Sequence, residues 1–130
     1  MPWTAQAPNA GFTDGTPWLP IPAEQRAAAV DVQQDDPGSV LAAYREAIAL
    51  RKRHPALATG SIRFFKAAGP VMSFVRESAD ERVLCVFNLS AQPAAWPRDA
   101  ILRALRLPAD ALANVDSVLP GWEYRFVPIA

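Results

Sequence analysis

The hydrophobic positions change period twice along this chain, and each change marks a different kind of structure. Residues 1 to 35 show no regular period; Pro2, Pro8, Pro17, Pro20 and Pro22 punctuate them, while Asn9, Gly11, Asp14 and Gly15 supply turn formers. This stretch is expected to be an ordered loop with one short helical turn near Ala27-Ala28-Ala29-Val30. From Pro37 to about Arg53 the period becomes helical, with Val40, Leu41, Tyr44 and Ile48 forming an apolar stripe and Arg45, Glu46 and Lys52 facing the other way. Asp36 is the expected N-cap and Pro37 the first helical residue, where a missing N–H costs nothing. Arg51-Lys52-Arg53-His54 closes the helix with positive charge at the negative end of its dipole, and Pro55 stops it.

Beyond Gly60 the period shortens to two. Ser61 to Ala67 reads as a strand, Ala68-Gly69-Pro70 as a turn, and Val71 to Glu77 as the antiparallel partner. Ala79-Asp80-Glu81 is a second turn, and Arg82 to Leu89 is a continuous apolar run suited to a strand buried on both faces. Asp99 to Leu107 fits a helix capped by Asp99, with Ile101, Leu102 and Leu105 on one side, and fits a strand equally well. Trp122 to Val127 alternates Trp122, Tyr124, Phe126 against Glu123, Arg125, Val127 and is expected to close the sheet.

Composition narrows the class. The 130 residues suffice for one domain, or a small domain with an appended piece, and 13 prolines make the chain loop-rich. Thirteen basic residues balance thirteen acidic ones without clustering, so neither nucleic acid nor a membrane surface is an expected partner. With no long apolar run and no leader pattern, a cytoplasmic location is expected.

The chemistry-bearing residues have plain structural readings. Cys85, the one cysteine, sits within Val83-Leu84-Cys85-Val86-Phe87 and is expected to be a buried, inert thiol. His54, the one histidine, is expected to cap the helix C-terminus, and no metal or cofactor is expected because it has no companion ligands. Asp35-Asp36 reads as a helix start and Asp80-Glu81 as a solvated turn, so neither pair is a credible acid/base dyad. No catalytic residue is assigned.

A series of separated motifs then agrees in order and spacing: Met1-Pro2-Trp3, Asn9-Ala10-Gly11-Phe12, Pro17-Trp18-Leu19-Pro20-Ile21, Asp36-Pro37, Tyr44-Arg45, Ile48-Ala49-Leu50-Arg51-Lys52 and His54-Pro55-Ala56-Leu57. This series resembles the C-terminal part of bacterial alpha-glucosidases and oligo-1,6-glucosidases of the alpha-amylase superfamily. The resemblance implies a mainly β fold with one prominent α-helix, an antiparallel β-sandwich preceded by an irregular loop segment and a helix. Residues 1–57 would be the loop and last-helix remnant of a (β/α)8 barrel, and residues 58–130 the C-terminal sandwich domain. Such enzymes cleave α-glucosidic bonds with retention, and by the family's order the catalytic aspartate and glutamate lie before Met1. Thr4 departs from the family, which commonly has aspartate after the tryptophan.

The implied role is a non-catalytic fragment that supports the barrel, inactive alone. Its expected partners are the missing catalytic barrel, or a second copy through the exposed helix stripe, with α-glucosides as possible ligands. Trp3, Phe12 and Trp18 are candidates for stacking on sugars at the substrate rim; the plain alternative is that they plug the barrel. A different reading makes the sandwich an independent carbohydrate-binding module, with Trp96 and Trp122 as stacking residues.

Overall fold

The computed structural model describes residues 1–129 and divides into two compact units, Met1–Leu50 and Arg51 onward. The first holds two short helices, α1 (Ala23–Ala27) and α2 (Val30–Gln34), and most of α3 (Val40–Arg53). The second holds α4 (Pro55–Thr59), β1 (Ser61–Phe64), β2 (Val71–Glu77), β3 (Arg82–Asn88), β4 (Ala94–Ala95), α5 (Arg98–Leu105), β5 (Val118–Leu119) and β6 (Tyr124–Ile129).

Polar contacts rather than apolar burial order the first 35 residues. The Trp3 and Thr4 N–H groups donate to the Ala10 carbonyl, and the Val30 and Asp31 N–H groups donate to Pro2 and Trp3. The Asp31 carboxylate accepts the Ala5 N–H at 3.1 Å, and Arg26 donates to the Ala5 and Ala7 carbonyls. Asn9, Ala10 and Gly11 run successively at φ 50°, 53° and 67°, a left-handed bend that brings Ala10 under the loop. The single helical turn expected near Ala27 is two helices, broken at Ala28 and Ala29.

Helix α3 begins three residues later than its pattern predicts. Asp36 folds into a turn, its Oδ1 accepting the Gly38 N–H, and Ser39 takes the cap, its Oγ accepting the Ala42 N–H at 3.1 Å. The helix ends at Arg53 as expected. Its stripe residues Val40, Tyr44 and Ile48 are all exposed.

A four-stranded antiparallel sheet in the order β1-β2-β3-β6 forms the second unit, with β4 and β5 paired as a separate small ribbon. Strand β2 has the expected bounds, β3 stops at Asn88, one residue short of the expected Leu89, and β1 stops at Phe64 rather than Ala67; β2 and β3 pair with Val71 opposite Asn88 and Glu77 opposite Arg82. The segment around residue 101 is helix, not strand. Its Asp99 lies in the first turn rather than at the cap, which falls on Pro97. Arg106 ends the helix in the left-handed conformation (φ 54°), letting the Leu107 N–H reach the Leu102 carbonyl.

Helix α5 completes the inner core. Val71 and Val75 from β2, Leu84 and Val86 from β3, and Ile129 from β6 pack with Ile101, Leu102 and Leu105 of α5, and with Trp96, Leu112 and Leu119. The second layer is therefore built mostly from a helix and a ribbon of two two-residue strands. Val83 and Cys85 point to the opposite face yet are also fully buried; α4 packs against β2 and β3. Gly60 permits that approach, since a Cβ there would lie 2.5 Å from the Ala56 carbonyl oxygen and 2.6 Å from that of Glu77.

The 79–81 turn is more than a solvated loop. Glu81 Oε1 lies 2.5 Å from His54 Nδ1, and its Oε2 accepts the Ala56 N–H at 3.1 Å, so the carboxylate caps α4 from a distant turn. His54 correspondingly sits at the N-cap of α4 and spends its ring on Glu81, rather than capping the end of α3. Arg51 holds the other end of α4 through the Leu57 and Ala58 carbonyls.

Two predictions follow from this packing. Ile101→Ala, which empties a fully buried position, is expected to lower unfolding stability by about 2–5 kcal/mol, whereas Val40→Ala on the exposed stripe shifts it by no more than about 0.5 kcal/mol, both read by urea denaturation. The hydrogen bond from His54 and that from Ala56 hold the Glu81 carboxyl below its ordinary value of 4.5. A depressed carboxyl contributes stability that is present above its unfolded value and lost as pH falls through the folded one. The urea midpoint of the wild type is therefore expected to fall more steeply below pH 4.5 than that of Glu81→Gln.

Candidate functional site

The first unit places two of the three rim candidates at one hollow. Met1, Pro2, Phe12, Pro17, Trp18, Leu19, Pro20, Ile21 and Gln25 line a cavity of about 330 Å³. Phe12 and Trp18 share it; Trp3 does not line it. Pro17, Pro20 and Pro22 keep this stretch out of regular helix and strand, and the chain bends at Trp18 and Leu19. Trp18 is 93% exposed, and Trp3 and Phe12 are each more than half exposed, so all three rings present faces to solvent. The Asn9 side-chain amide, donating to the Thr13 and Gly15 carbonyls, fixes the turn behind Phe12.

In the second unit the two tryptophans differ. Trp96 is 4% exposed and its indole N–H donates to the Asp116 carbonyl, so it is a core residue. That corrects its place among the stacking candidates. Trp122 is 69% exposed at φ 60°, behind Gly121, where a Cβ would lie 2.2 Å from the Ala91 carbonyl oxygen. The Trp122 N–H is held by the Ser90 carbonyl, and the left-handed angle delays β6 to Tyr124 instead of Trp122. Sequence alternation alone carries no signal for that positive φ.

Acid/base and nucleophilic chemistry finds little support in the described residues. The best-placed carboxylate, Glu81, has its pKa moved down, opposite to what a general acid at neutral pH needs. Asp31 and Asp36 hold backbone N–H groups, and Glu123 pairs with Arg125 at 2.6 Å. Burial pushes the Cys85 thiol up to about 11, which leaves it protonated and inert. Among the described residues no group of three or more His, Cys, Asp or Glu converges to hold a metal ion, and no helix is long and apolar enough to cross a membrane.

One feature is absent from the candidate residues read from sequence. Phe64, Phe74, Phe87, Tyr124 and Phe126 form a row of touching rings across all four strands of the sheet, with neighbouring centroids 5.2 to 6.1 Å apart. The alternation of Phe74 with Val75, and of Tyr124 with Arg125, is visible in the sequence; the register that aligns the rings is not.

Residues 1–60 match the family model for the alpha amylase catalytic domain, and residues 62–114 match the model for the maltogenic amylase C-terminal domain. A probable alpha-glucosidase of Rhizobium meliloti is 45% identical over 94 residues, covering 72% of this chain and 17% of that protein. A probable oligo-1,6-glucosidase of Bacillus subtilis is 38% identical over 102 residues, 76% of this chain and 18% of the relative. The crystal structure of the alpha-glucosyl transfer enzyme XgtA superposes with a TM-score of 0.77 at 43% identity, over 100% of this chain and 25% of that one. The chain thus spans less than a fifth of the length of these curated relatives. It belongs to the alpha-amylase superfamily, and joins the end of that family's catalytic domain to its C-terminal domain.

Proposed function

We propose that this chain is the non-catalytic C-terminal part of an α-glucosidase that hydrolyses α-glucosidic bonds with retention, and that its role is to support the catalytic barrel. The observation that carries the reading is the pair of adjoining matches, catalytic domain to residue 60 and C-terminal domain from residue 62. The local chemistry agrees with it. Retention needs two carboxyl groups about 5–5.5 Å apart, one of them with a raised pKa, whereas Asp31, Asp36, Glu81 and Glu123 are each engaged in holding the fold. The partner in this reading is a barrel, with a second copy of the chain as substitute through the exposed stripe of α3. Cys85, free and buried, suits a cytoplasmic setting.

A second reading, a module that binds α-glucans by itself, draws on one observation: Trp122 is exposed, with its backbone N–H held by the Ser90 carbonyl. The two readings separate experimentally. The purified chain is expected to release no p-nitrophenol from p-nitrophenyl α-glucoside above a buffer blank; sustained turnover overturns the non-catalytic role. On isomaltooligosaccharide or starch resin the chain is expected to pass unretained. Retention that disappears in Trp122→Ala establishes the binding module instead.

A further inference from the structure

We propose that the free edge of β1 is a self-pairing interface, on which a second copy of this chain lays its own β1 antiparallel across a two-fold axis; this stands apart from the supporting role proposed above. Strand β1 ends the order β1-β2-β3-β6, so it has a neighbour in the sheet on one side only. Parity decides which of its groups are left over. The Phe65 N–H donates to the Ser73 carbonyl at 3.0 Å, so Phe65, and with it Arg63 and Ser61, turn their backbone groups toward β2. Ile62, Phe64 and Lys66 therefore turn theirs away from it, and the Ile62 and Phe64 residues are each at least half exposed. A row of backbone N–H and C=O groups facing out of a sheet is a template for another strand.

The opposite edge is a poor competitor. The Asn88 N–H donates to the Glu123 carbonyl, so on β6 Arg125, Val127 and Ile129 face β3, while Tyr124, Phe126 and Pro128 face outward. Pro128 has no N–H to offer, and the Tyr124 carbonyl already accepts from Arg125 at 2.7 Å.

Self-complementarity makes a second copy the occupant of the β1 edge. Two-fold pairing can centre on Ile62, on Arg63 or on Phe64. Centring on Ile62 needs the groups of Gly60, and these are taken: its N–H donates to the Ala56 carbonyl and its own carbonyl accepts from Arg76 at 2.7 Å. Centring on Arg63 sets two guanidinium side chains directly opposite, a destabilising pair. Centring on Phe64 pairs the Phe64 groups with each other and those of Ile62 with Lys66. It also sets each Arg63 opposite a Phe65, the kind of ring Arg63 already lies over in its own chain, 5.3 Å from the centroid. No like charges then stand opposite one another. On the sheet's outer face the row of rings ends at Phe64, 5.2 Å from Phe74 between centroids, and in this register it meets its counterpart at the axis.

The test is sedimentation equilibrium of the full chain from micromolar to millimolar concentration, with amide hydrogen exchange followed by NMR over the same range. The mass is expected to double as concentration rises, and exchange at Ile62, Phe64 and Lys66 to slow in step. A single mass throughout, or doubling while those amides go on exchanging freely, as pairing through the α3 stripe would give, overturns the proposal. Phe64→Glu and Phe64→Lys each place like charges at the axis and are each expected to abolish the doubling; mixed in equal amounts, the two are expected to restore it. Doubling that survives either substitution, or that mixing does not restore, sinks the Phe64-centred interface.

Discussion

Burial of β3 on both faces is the constraint on which the second unit depends. Val83, Leu84, Cys85 and Val86 are sealed in succession, so a chain that alternates faces at every residue must be covered twice. On the inner side α5 and the β4–β5 ribbon do this, and on the outer side α4 packs against β3. Remove either cover and a continuous apolar strand meets water, at roughly 25 cal/mol for each Å² exposed. The rest of the unit follows from supplying those covers: the tight passage at Gly60 admits α4, and the left-handed close at Arg106 turns the chain back under α5.

Where apolar burial is thin, polar side chains that reach backbone groups take over. Asp31 and Arg26 order the first segment; Glu81 caps α4 from a turn 25 residues away. Buried Asn88 donates to the Gln92, Leu119 and Pro120 carbonyls and accepts from Ser90, tying the loop after β3 to the stretch before β6. Each replaces a regular ladder with a few directed bonds. The Asn88 bonds are the vulnerable ones, since losing a partner there leaves buried groups unpaired.

That division explains what could be read from the sequence. Local patterns were legible: the alternation of β2, the unbroken apolar run of β3, the stripe of α3 and the stop at Pro55 are properties of neighbouring residues. Contacts between distant residues were not. Nothing near Glu81 announces that its partner is His54, and Asp36 looks a better cap than Ser39 until the turn at Gly38 occupies it. Trp96 and Trp122 have similar flanks, a proline or glycine beside an indole, yet one lies in the core and the other in solvent. The difference arises from Asp116 accepting one indole N–H and from the φ of 60° at the other. The aromatic row was hidden for the same reason, because five rings on four strands become neighbours only through register.

The same logic bears on how the chain divides its work. A catalytic carboxylate must stay free to change protonation during turnover, which conflicts with accepting the backbone bonds that hold a loop in place. Asp31, Asp36 and Glu81 accept such bonds, and the bonds to Glu81 stabilise its ionised form. What the sheet presents instead is shape and apolar surface, with α5 packed on one side and, on the other, five rings that touch one another across its four strands.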